Sequence, residues 1–362
     1  MRIRFLPLVA LVASLGFSAL RSASAAPEAT VVPVAASSVN MSRKFDAGVF
    51  QAEDGAITII NNDERVDAYF ATKALLTAHE AGLDIREAGM RWVNWLLPLQ
   101  HSDGRFMRYT RQKATATQAA YWKTTDIADA DDALLAIWIE LLYTLAPNEG
   151  LPVSWQKSIS LAGSHLQTLR DRRGYYWIAR ENRVGLFMDN SEIYSSMMNI
   201  AREQGRLGHN TAAAQTTAAA RNLAEAIHNT FWDNNKKKFR VSTQIIPDSK
   251  FYPDATAQVF PMLTGLDTPA APDATVFNEW LAKHGDDWIT MRYDDFPWGL
   301  VAFAAWKVGD NNSALEWQNK NRGLRYGNRW TVLDEAIYQA LDANLPSTVL
   351  IAQAEPRVVP NS

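Results

Sequence analysis

Residues 131–146 read DDALLAIWIELLYTLA, an apolar segment that opens on two aspartates. The large apolar residues of one face recur at helical spacing, at Leu134, Trp138, Leu141 and Leu145. This period predicts an α-helix that buries a broad stripe. A turn rich in proline and glycine follows at 147–152, and apolar spacing predicts a second helix at 154–170. Together these segments are typical of one helical hairpin.

Similar two-helix units recur along the chain. The alanine-rich residues 210–232 and the later residues 331–343 each predict a further helix. Asp63, Asp126 and Asp189 stand at the openings of three units and lie 63 residues apart each time. Equal spacing of similar units indicates a repeat architecture.

About six hairpins predict an all-α fold, an (α/α)6 toroid in which the helices close into a ring. An open helical solenoid is the alternative arrangement of such units. Strand-like sequence is confined to inserts such as 174–188 and 236–246. Only small β inserts in the loops are therefore expected.

The first residues indicate export. Arg2 and Arg4 form a short basic start, residues 5–20 are apolar, and small residues at 23–25 supply a cleavage site. We therefore expect a signal peptide at 1–25 and a bacterial protein that is periplasmic or secreted. No later segment is long and apolar enough to span a membrane, so no span is expected after cleavage.

The remaining chain divides into three parts. Residues 26–45, rich in proline, alanine, serine and valine, predict a flexible tether. The toroid is expected at 46–345 as a single catalytic-type domain, and a C-terminal tail follows at 346–362.

Composition excludes several classes of function. The chain has no cysteine, which rules out disulfides, thiolate metal sites and cysteine nucleophiles. Its formal net charge of −3 does not suggest the dense basic face that nucleic acid requires. The six histidines lack metal-ligand spacing, and paired carboxylates suffice for the chemistry considered below. Neither a metal nor a cofactor is expected.

In a ring of antiparallel hairpins, every first helix starts at the same end, beside the loops that lead into it. That end is expected to carry many carboxylates: Asp63, Glu64, Asp126, Asp129, Asp131, Asp132, Asp189, Glu192, Asp254, Asp294 and Asp295. The aromatic candidates for ligand contact in the same loops are Trp122, Tyr175, Trp177, Tyr252, Tyr293 and Trp298. Aromatic rings stack on the apolar faces of sugars, while carboxylates bind hydroxyls and supply acid and base. The pattern predicts a polysaccharide or oligosaccharide partner.

Three segments resemble the family 8 glycoside hydrolases, inverting endoglucanases and chitosanases with an (α/α)6 barrel. They are NNDERVDAYFATKALLTAHEAG (61–82), DIADADDALLAIWIEL (126–141) and RYDDFPWGLVAFAAW (292–306). The resemblance implies that Glu64 is the general acid and that Asp129 or Asp131 holds the sugar at the cleavage point. It also implies that Asp294 is the general base, with Asp295 as the alternative. Asp126, Asp189 and Asp254 complete the expected substrate-binding carboxylates.

The sequence thus predicts an exported inverting glycoside hydrolase that cleaves a polysaccharide in an aromatic-lined groove. Two alternatives remain open. A polysaccharide lyase or uronyl hydrolase could use the same fold, with polar groups drawn from Arg180, Asn182, Arg183, Tyr194 and His209. The chain could also be a non-catalytic glycan-binding protein of an exopolysaccharide system.

Overall fold

The computed structural model describes residues 43–61, 63–115, 117–128, 130–293 and 295–345. Helices dominate this part of the chain. They are α1 (Ala68–Glu80), α2 (Arg86–Leu96), α3 (Asp131–Leu145), α4 (Val153–Thr168), α5 (Phe187–Arg206), α6 (Asn210–Phe231), α7 (Asp254–Ala257), α8 (Phe260–Thr264), α9 (Asp273–Ile289), α10 (Gly299–Lys307), α11 (Asn311–Asn321) and α12 (Val332–Asn344). The helices predicted at 131–146, 154–170, 210–232 and 331–343 are confirmed within one or two residues at each end.

Six segments form an inner ring in which each packs against the next: α1, α3, α5, α8, α10 and α12. The ring closes because α12 packs against α1. Helices α2, α4, α6 and α11 lie behind their inner partners, and α9 packs against α11. The all-α toroid is therefore confirmed, and the open solenoid is wrong.

The N-terminal residues pack against the outer side of α12. Asp46 and Gln339 exchange two hydrogen bonds, of 2.9 Å and 2.8 Å. The backbone N–H of Val332 donates to the carbonyl of Ile59 at 2.8 Å. Phe45, at the end of the predicted tether, is buried and bound to the α1–α2 turn through its backbone. The packed domain thus includes the last residues of that tether, and residues 1–25, most of the tether and the tail 346–362 lie outside the described residues.

Two small antiparallel sheets complete the fold. The first joins β1 (Arg65–Val66), β2 (Met107–Gln112) and β3 (Tyr121–Ile127), with Val66 opposite Tyr109. The second pairs β4 (Trp232–Asp233) with β5 (Lys238–Phe239), of which only β5 lies inside the insert predicted at 236–246. The other predicted insert, 174–188, contains no strand although all of it is described, and the β2–β3 hairpin was not predicted from the sequence.

Tryptophans form much of the core between the helical layers. Trp92, Trp138, Trp317 and Trp330 are fully buried, and each indole N–H is satisfied. The Trp92 and Trp138 indoles, for example, donate to hydroxyls of neighbouring helices at 3.2 Å and 2.9 Å. Burying both the ring and its polar group makes such residues strong anchors of the helix packing.

The inner helices begin at one end of the ring, as expected. The connections that lead into them are residues 61–67, 97–130, 169–186, 232–253, 290–298 and 322–331, of which 232–253 reaches α8 through the short helix α7. We call this set of connections the N-terminal rim. Within the described residues, no helix combines the length and apolar character needed to cross a membrane.

Candidate functional site

Two side chains of α1 hold a carboxylate of α5 inside the ring. The hydroxyl of Tyr69 lies 2.9 Å and 3.1 Å from the two carboxylate oxygens of Glu192, to which it donates. The ammonium of Lys73, one turn further along α1, lies 3.0 Å from the same carboxylate. Because Glu192 is buried, these two partners replace the water that would otherwise solvate it. They also fix its orientation.

Helix α3 brings Asp132 close to Glu192. Its side chain is fully buried, and this burial raises the pKa of Asp132 to about 8, helped by the negative charges of Asp131 and Glu192. One carboxyl oxygen accepts a hydrogen bond from the backbone N–H of Ala133 at 2.9 Å. The other oxygen has no hydrogen-bond partner in the described part of the chain. Burial thus favours the protonated form of Asp132.

Asp189 lies in the first turn of α5, one turn before Glu192, and is partly exposed. The pKa of Tyr69 is raised well above its usual range because burial disfavours its phenolate, as do the charges of Glu192 and Asp189. Tyr252 adds a further contribution to this shift, so it also lies near Tyr69. We call Tyr69, Asp132, Asp189 and Glu192 the acidic floor.

A stacked pair of aromatic rings stands beside the acidic floor. The rings of Tyr252 and Trp298 lie 5.0 Å apart with an angle of 27° between their planes. Tyr252 is exposed, and Trp298 adopts a left-handed backbone conformation with φ of 49°. Such a conformation is strained for a non-glycine residue and is often held at functional positions. We call Tyr252 and Trp298 the aromatic wall.

Asp334 supports the aromatic wall from α12. Its carboxylate accepts a hydrogen bond from the backbone N–H of Gly299 at 3.0 Å, directly after Trp298. The same carboxylate accepts from the backbone and hydroxyl of Thr331 as part of a capping box. Burial raises the pKa of Asp334, although these hydrogen bonds oppose the shift. The start of α10 is thus tied to the start of α12.

The three-stranded sheet stands next to the start of α1. Asp67 caps α1 by accepting from the backbone of Tyr69 at 3.0 Å, and it also accepts from Arg108 of β2 at 2.6 Å. Glu64, the predicted general acid, lies just before β1, is about half exposed, and is 3.3 Å from the ammonium of Lys113. The structure thus places Glu64 on the sheet and outside the acidic floor.

Three predicted binding residues occupy other positions. Asp131 lies 3.5 Å from His165 of α4, on the outer side of α3 rather than on the acidic floor. Asp254 accepts from the backbone of Ser249 at 2.6 Å, and so orders the loop before α7. The predicted ligand contact of Tyr175 is wrong. Its side chain is 1% exposed and packs edge-to-face on Phe231 in the core. A side chain in that position cannot contact a ligand.

The remaining predicted aromatic residues lie on the N-terminal rim, each beside a cation. Trp122 is partly exposed, and its indole donates to Asp54 at 2.7 Å. Trp177 is partly exposed on the connection between α4 and α5, and Tyr293 is exposed before α10.

The other predicted carboxylates divide between exposed and undescribed positions. Asp126 is exposed on β3, and Asp295 is exposed in the segment before Trp298. Asp129 and Asp294 lie outside the described residues. Their assigned roles stay predictions.

Tyr69 and Lys73 are the site residues that sequence reasoning missed. Asp132 and Glu192 were expected at the correct end of the ring but were not chosen as site residues. The sequence did contain a signal for Lys73, because it is the one charged residue in the segment AYFATKALL (68–76). A lysine on a buried helix needs an anionic partner, and that requirement could have directed attention to a carboxylate of another inner helix.

A cavity of about 770 Å³ lies between helices α3 to α6, and no residue of the acidic floor lines it. It extends to the turns at the opposite end of the ring, and its walls are mainly apolar side chains such as Ile139, Met197 and Ile200. Its polar group Gln204 is engaged with Tyr143 and Thr216.

The groups considered for lyase chemistry do not converge. His209 follows α5 and lines the cavity at the opposite end, whereas Arg183 lies against Trp177 on the N-terminal rim. Tyr194 faces the carbonyl of Gly265 at 3.5 Å. Among the described residues, no group of three or more histidine or carboxylate side chains is arranged to hold a metal ion.

No family model matches the sequence, and no curated protein matches it. Solved structures do match. A novel α-amylase from Clostridium perfringens has a TM-score of 0.52 at 11% identity, covering 82% of this chain and 94% of its own. A glycosidase in complex with glucose has a TM-score of 0.52 at 15% identity, covering 81% of this chain and 92% of its own. At such identities the likeness shows the fold alone.

The chain therefore has a glycosidase-like toroid. This supports the coarser part of the resemblance seen in the sequence. The likeness to family 8 in particular stays a prediction.

Proposed function

We propose that this chain is an exported glycoside hydrolase that cleaves a polysaccharide with inversion, in the bacterial periplasm or outside the cell. The observation that carries the proposal is the convergence of the acidic floor and the aromatic wall at one end of a glycosidase-like ring. Carboxyl groups in different environments beside a sugar-stacking surface are what glycosidic cleavage requires.

Asp189 is the proposed catalytic carboxyl of the acidic floor, because it is partly exposed whereas Asp132 and Glu192 are buried. The second catalytic carboxyl is assigned to Asp294 or Asp295, on the segment that leads to Trp298. Inversion needs about 6.5–9.5 Å between the two groups, which leaves room for the attacking water. The aromatic wall would then stack against the sugar at the cleavage point.

Glu192 is proposed to act indirectly. It is held by Tyr69 and Lys73 one turn after Asp189 on α5, and its negative charge adds to the burial that raises the pKa of Asp132. These buried groups would set the electrostatic environment of Asp189 without touching the substrate.

The test is a screen of the mature chain, from residue 26, against a panel of neutral and charged polysaccharides. Released reducing ends report cleavage, and NMR of the first product anomer reports inversion or retention. We expect cleavage with inversion, with Asp189→Asn and Asp295→Asn or Asp294→Asn each lowering kcat by about a hundredfold or more. Glu64→Gln tests the acid that the family resemblance implies, and Glu225→Gln, at an exposed carboxylate of the outer helix α6, is the matched control.

Three results would contradict the proposal. Binding of a glycan with no reducing ends released by any substrate would point to a non-catalytic binding protein. Unsaturated products that absorb in the ultraviolet would point to a lyase. Full activity in Asp189→Asn would remove the proposed site.

A further inference from the structure

We infer that the glycan bound by the N-terminal rim is anionic, carrying repeated carboxylate or sulfate groups. This inference rests on the proposed function and names the substrate class for the same site. The observation that carries it is the pairing of three rim aromatic residues with exposed cations. Three such pairs lie on different connections: Trp122 with Arg111, Trp177 with Arg183, and Tyr293 with Lys250.

The geometry of the three pairs is similar. The guanidinium carbon of Arg111 lies 5.5 Å from the Trp122 ring, and that of Arg183 lies 5.0 Å from the Trp177 ring. The ammonium of Lys250 lies 5.0 Å from the Tyr293 ring. In each pair the cation lies over the face of the ring, so the ring holds the cation in place while its remaining N–H groups could bind an acidic substituent of a sugar.

These cations are available to a ligand. Arg111, Arg183 and Lys250 are all exposed, and in the described part of the chain none of them forms an ion pair with a carboxylate. Other rim cations are already occupied. Lys113 pairs with Glu64, and Arg105 pairs with Asp103 and lies 3.9 Å from Glu181.

The distribution of charge along the chain points the same way. Residues 169–186 contain five Arg and two acidic residues, and residues 232–253 contain five Lys or Arg and two acidic residues. Residues 322–331 contain three Arg and no acidic residue. The N-terminal rim therefore concentrates positive charge on three of its connections.

The turns at the opposite end of the ring carry negative charge instead of positive charge. Residues 81–85, 146–152, 207–209, 265–272 and 308–310 contain no Lys or Arg. Their charged residues are Asp84, Glu149, Asp267 and Asp310. Since the chain as a whole has a formal charge of −3, this excess of cations on three rim connections is a local feature. Such a field attracts anions toward one end of the ring.

The test measures binding without requiring turnover. The mature chain is run in affinity gels that contain polygalacturonate, alginate, dextran sulfate or a neutral β-glucan, at about 0.05 M and about 0.5 M salt. We expect retardation by one or more anionic polymers, which weakens at high salt because exposed charges are then screened. The uronate and sulfate arms distinguish the two sources of negative charge.

Charge-removing variants assign the effect to the rim. Arg111→Gln, Arg183→Gln and Lys250→Gln keep each aromatic ring and should each weaken anionic binding by about two- to fivefold. Lys157→Gln is the matched control, because Lys157 is an exposed cation of α4 near its start, at the opposite end. Melting temperatures of all four variants should match the parent, which separates ligand binding from a structural role of the cation–aromatic pairs.

Equal retardation by the neutral glucan at both salt concentrations would overturn the inference, as would equal weakening by Lys157→Gln. These outcomes are distinct from failure of the proposed function. Binding of anionic polymers without cleavage would refute the hydrolase and leave this inference intact. Cleavage of neutral glucans that is unaffected by the three rim variants would refute this inference and leave the hydrolase intact.

Discussion

The Tyr69 hydroxyl donates to the buried Glu192 carboxylate across the ring, 2.9 Å from one oxygen and 3.1 Å from the other. Tyr69 belongs to α1 and Glu192 to α5, and α3 lies between these helices in the ring. The contact therefore connects non-adjacent inner helices. Lys73 completes the arrangement from the next turn of α1.

Removing the cation of this arrangement should be costly. Lys73→Met leaves the buried Glu192 without its charged partner, so we expect the free energy of unfolding to fall by about 3 kcal/mol. Urea denaturation at neutral pH measures the loss. The double variant Lys73→Met/Glu192→Gln should recover much of it, because no buried charge is then unpaired. Simple additivity of the two single effects would show that the pair is not coupled.

Stability should depend on pH through Asp132. In the unfolded chain this carboxyl ionises near 3.8, whereas burial raises its pKa to about 8 in the folded chain. Between these values the folded state binds the extra proton. The contribution of Asp132 to stability is therefore fully present below pH 3.8 and is lost as the pH rises to about 8. The slope can reach about 1.4 kcal/mol per pH unit.

The variant Asp132→Asn isolates this effect. The asparagine side chain cannot ionise. The free energy of unfolding of the variant should therefore rise relative to that of the parent as the pH is raised from 3.8 to about 8. Chemical denaturation at several pH values gives the comparison. The exposed Asp126→Asn should follow the parent at every pH. Parallel curves for Asp132→Asn and the parent would show that Asp132 does not titrate as described.

The helical framework could be predicted because the apolar residues that each helix buries recur at helical spacing along the local sequence. The predicted helix at 131–146 is observed as Asp131–Leu145, and the segment 331–343 as Val332–Asn344. The β2–β3 hairpin was missed because its strands are largely exposed and lack a clean alternation of apolar and polar residues. Its partner strand β1 lies some forty residues earlier, so no local pattern marks the sheet.

The acidic floor was harder to predict than the fold. Tyr69 and Glu192 are 123 residues apart, and only ring closure brings them into contact. The equal spacing of Asp63, Asp126 and Asp189 was misleading, because these residues lie in an irregular loop, in a strand and in a helix. Equal spacing identified the repeat without identifying equivalent positions.

Gly299, which follows Trp298 of the aromatic wall, packs too closely against α11 and α12 to carry a side chain without strain. A Cβ atom at Gly299 would lie 2.8 Å from the Asp334 carboxylate and 3.0 Å from the Trp317 ring. Gly299→Ala should therefore lower the free energy of unfolding by about 1–3 kcal/mol and displace Trp298. Thermal unfolding and tryptophan fluorescence report the two effects.

Gly163 of α4 provides the matched control. A Cβ atom there meets nothing within 4 Å, and the residue lies inside a helix. Gly163→Ala should raise the free energy of unfolding by about 0.5–1 kcal/mol, since alanine favours the helix. A stabilising Gly299→Ala would show that the tight contact around Asp334 does not restrict the residue.

The aromatic wall and the rim should contribute differently to the binding of a glycan chain. Tyr252 and Trp298 stand beside the acidic floor, so Trp298→Ala should weaken short and long oligosaccharides alike. Trp177 lies on another connection of the rim, so Trp177→Ala should weaken a hexamer by about tenfold while leaving a dimer almost unchanged. Calorimetric titration of both lengths measures the difference. Since Trp177 also packs partly against the core, the melting temperature of the Trp177→Ala variant must be compared with that of the parent protein. Equal losses for dimer and hexamer, together with a lower melting temperature, would make Trp177 a core anchor and remove it from the groove.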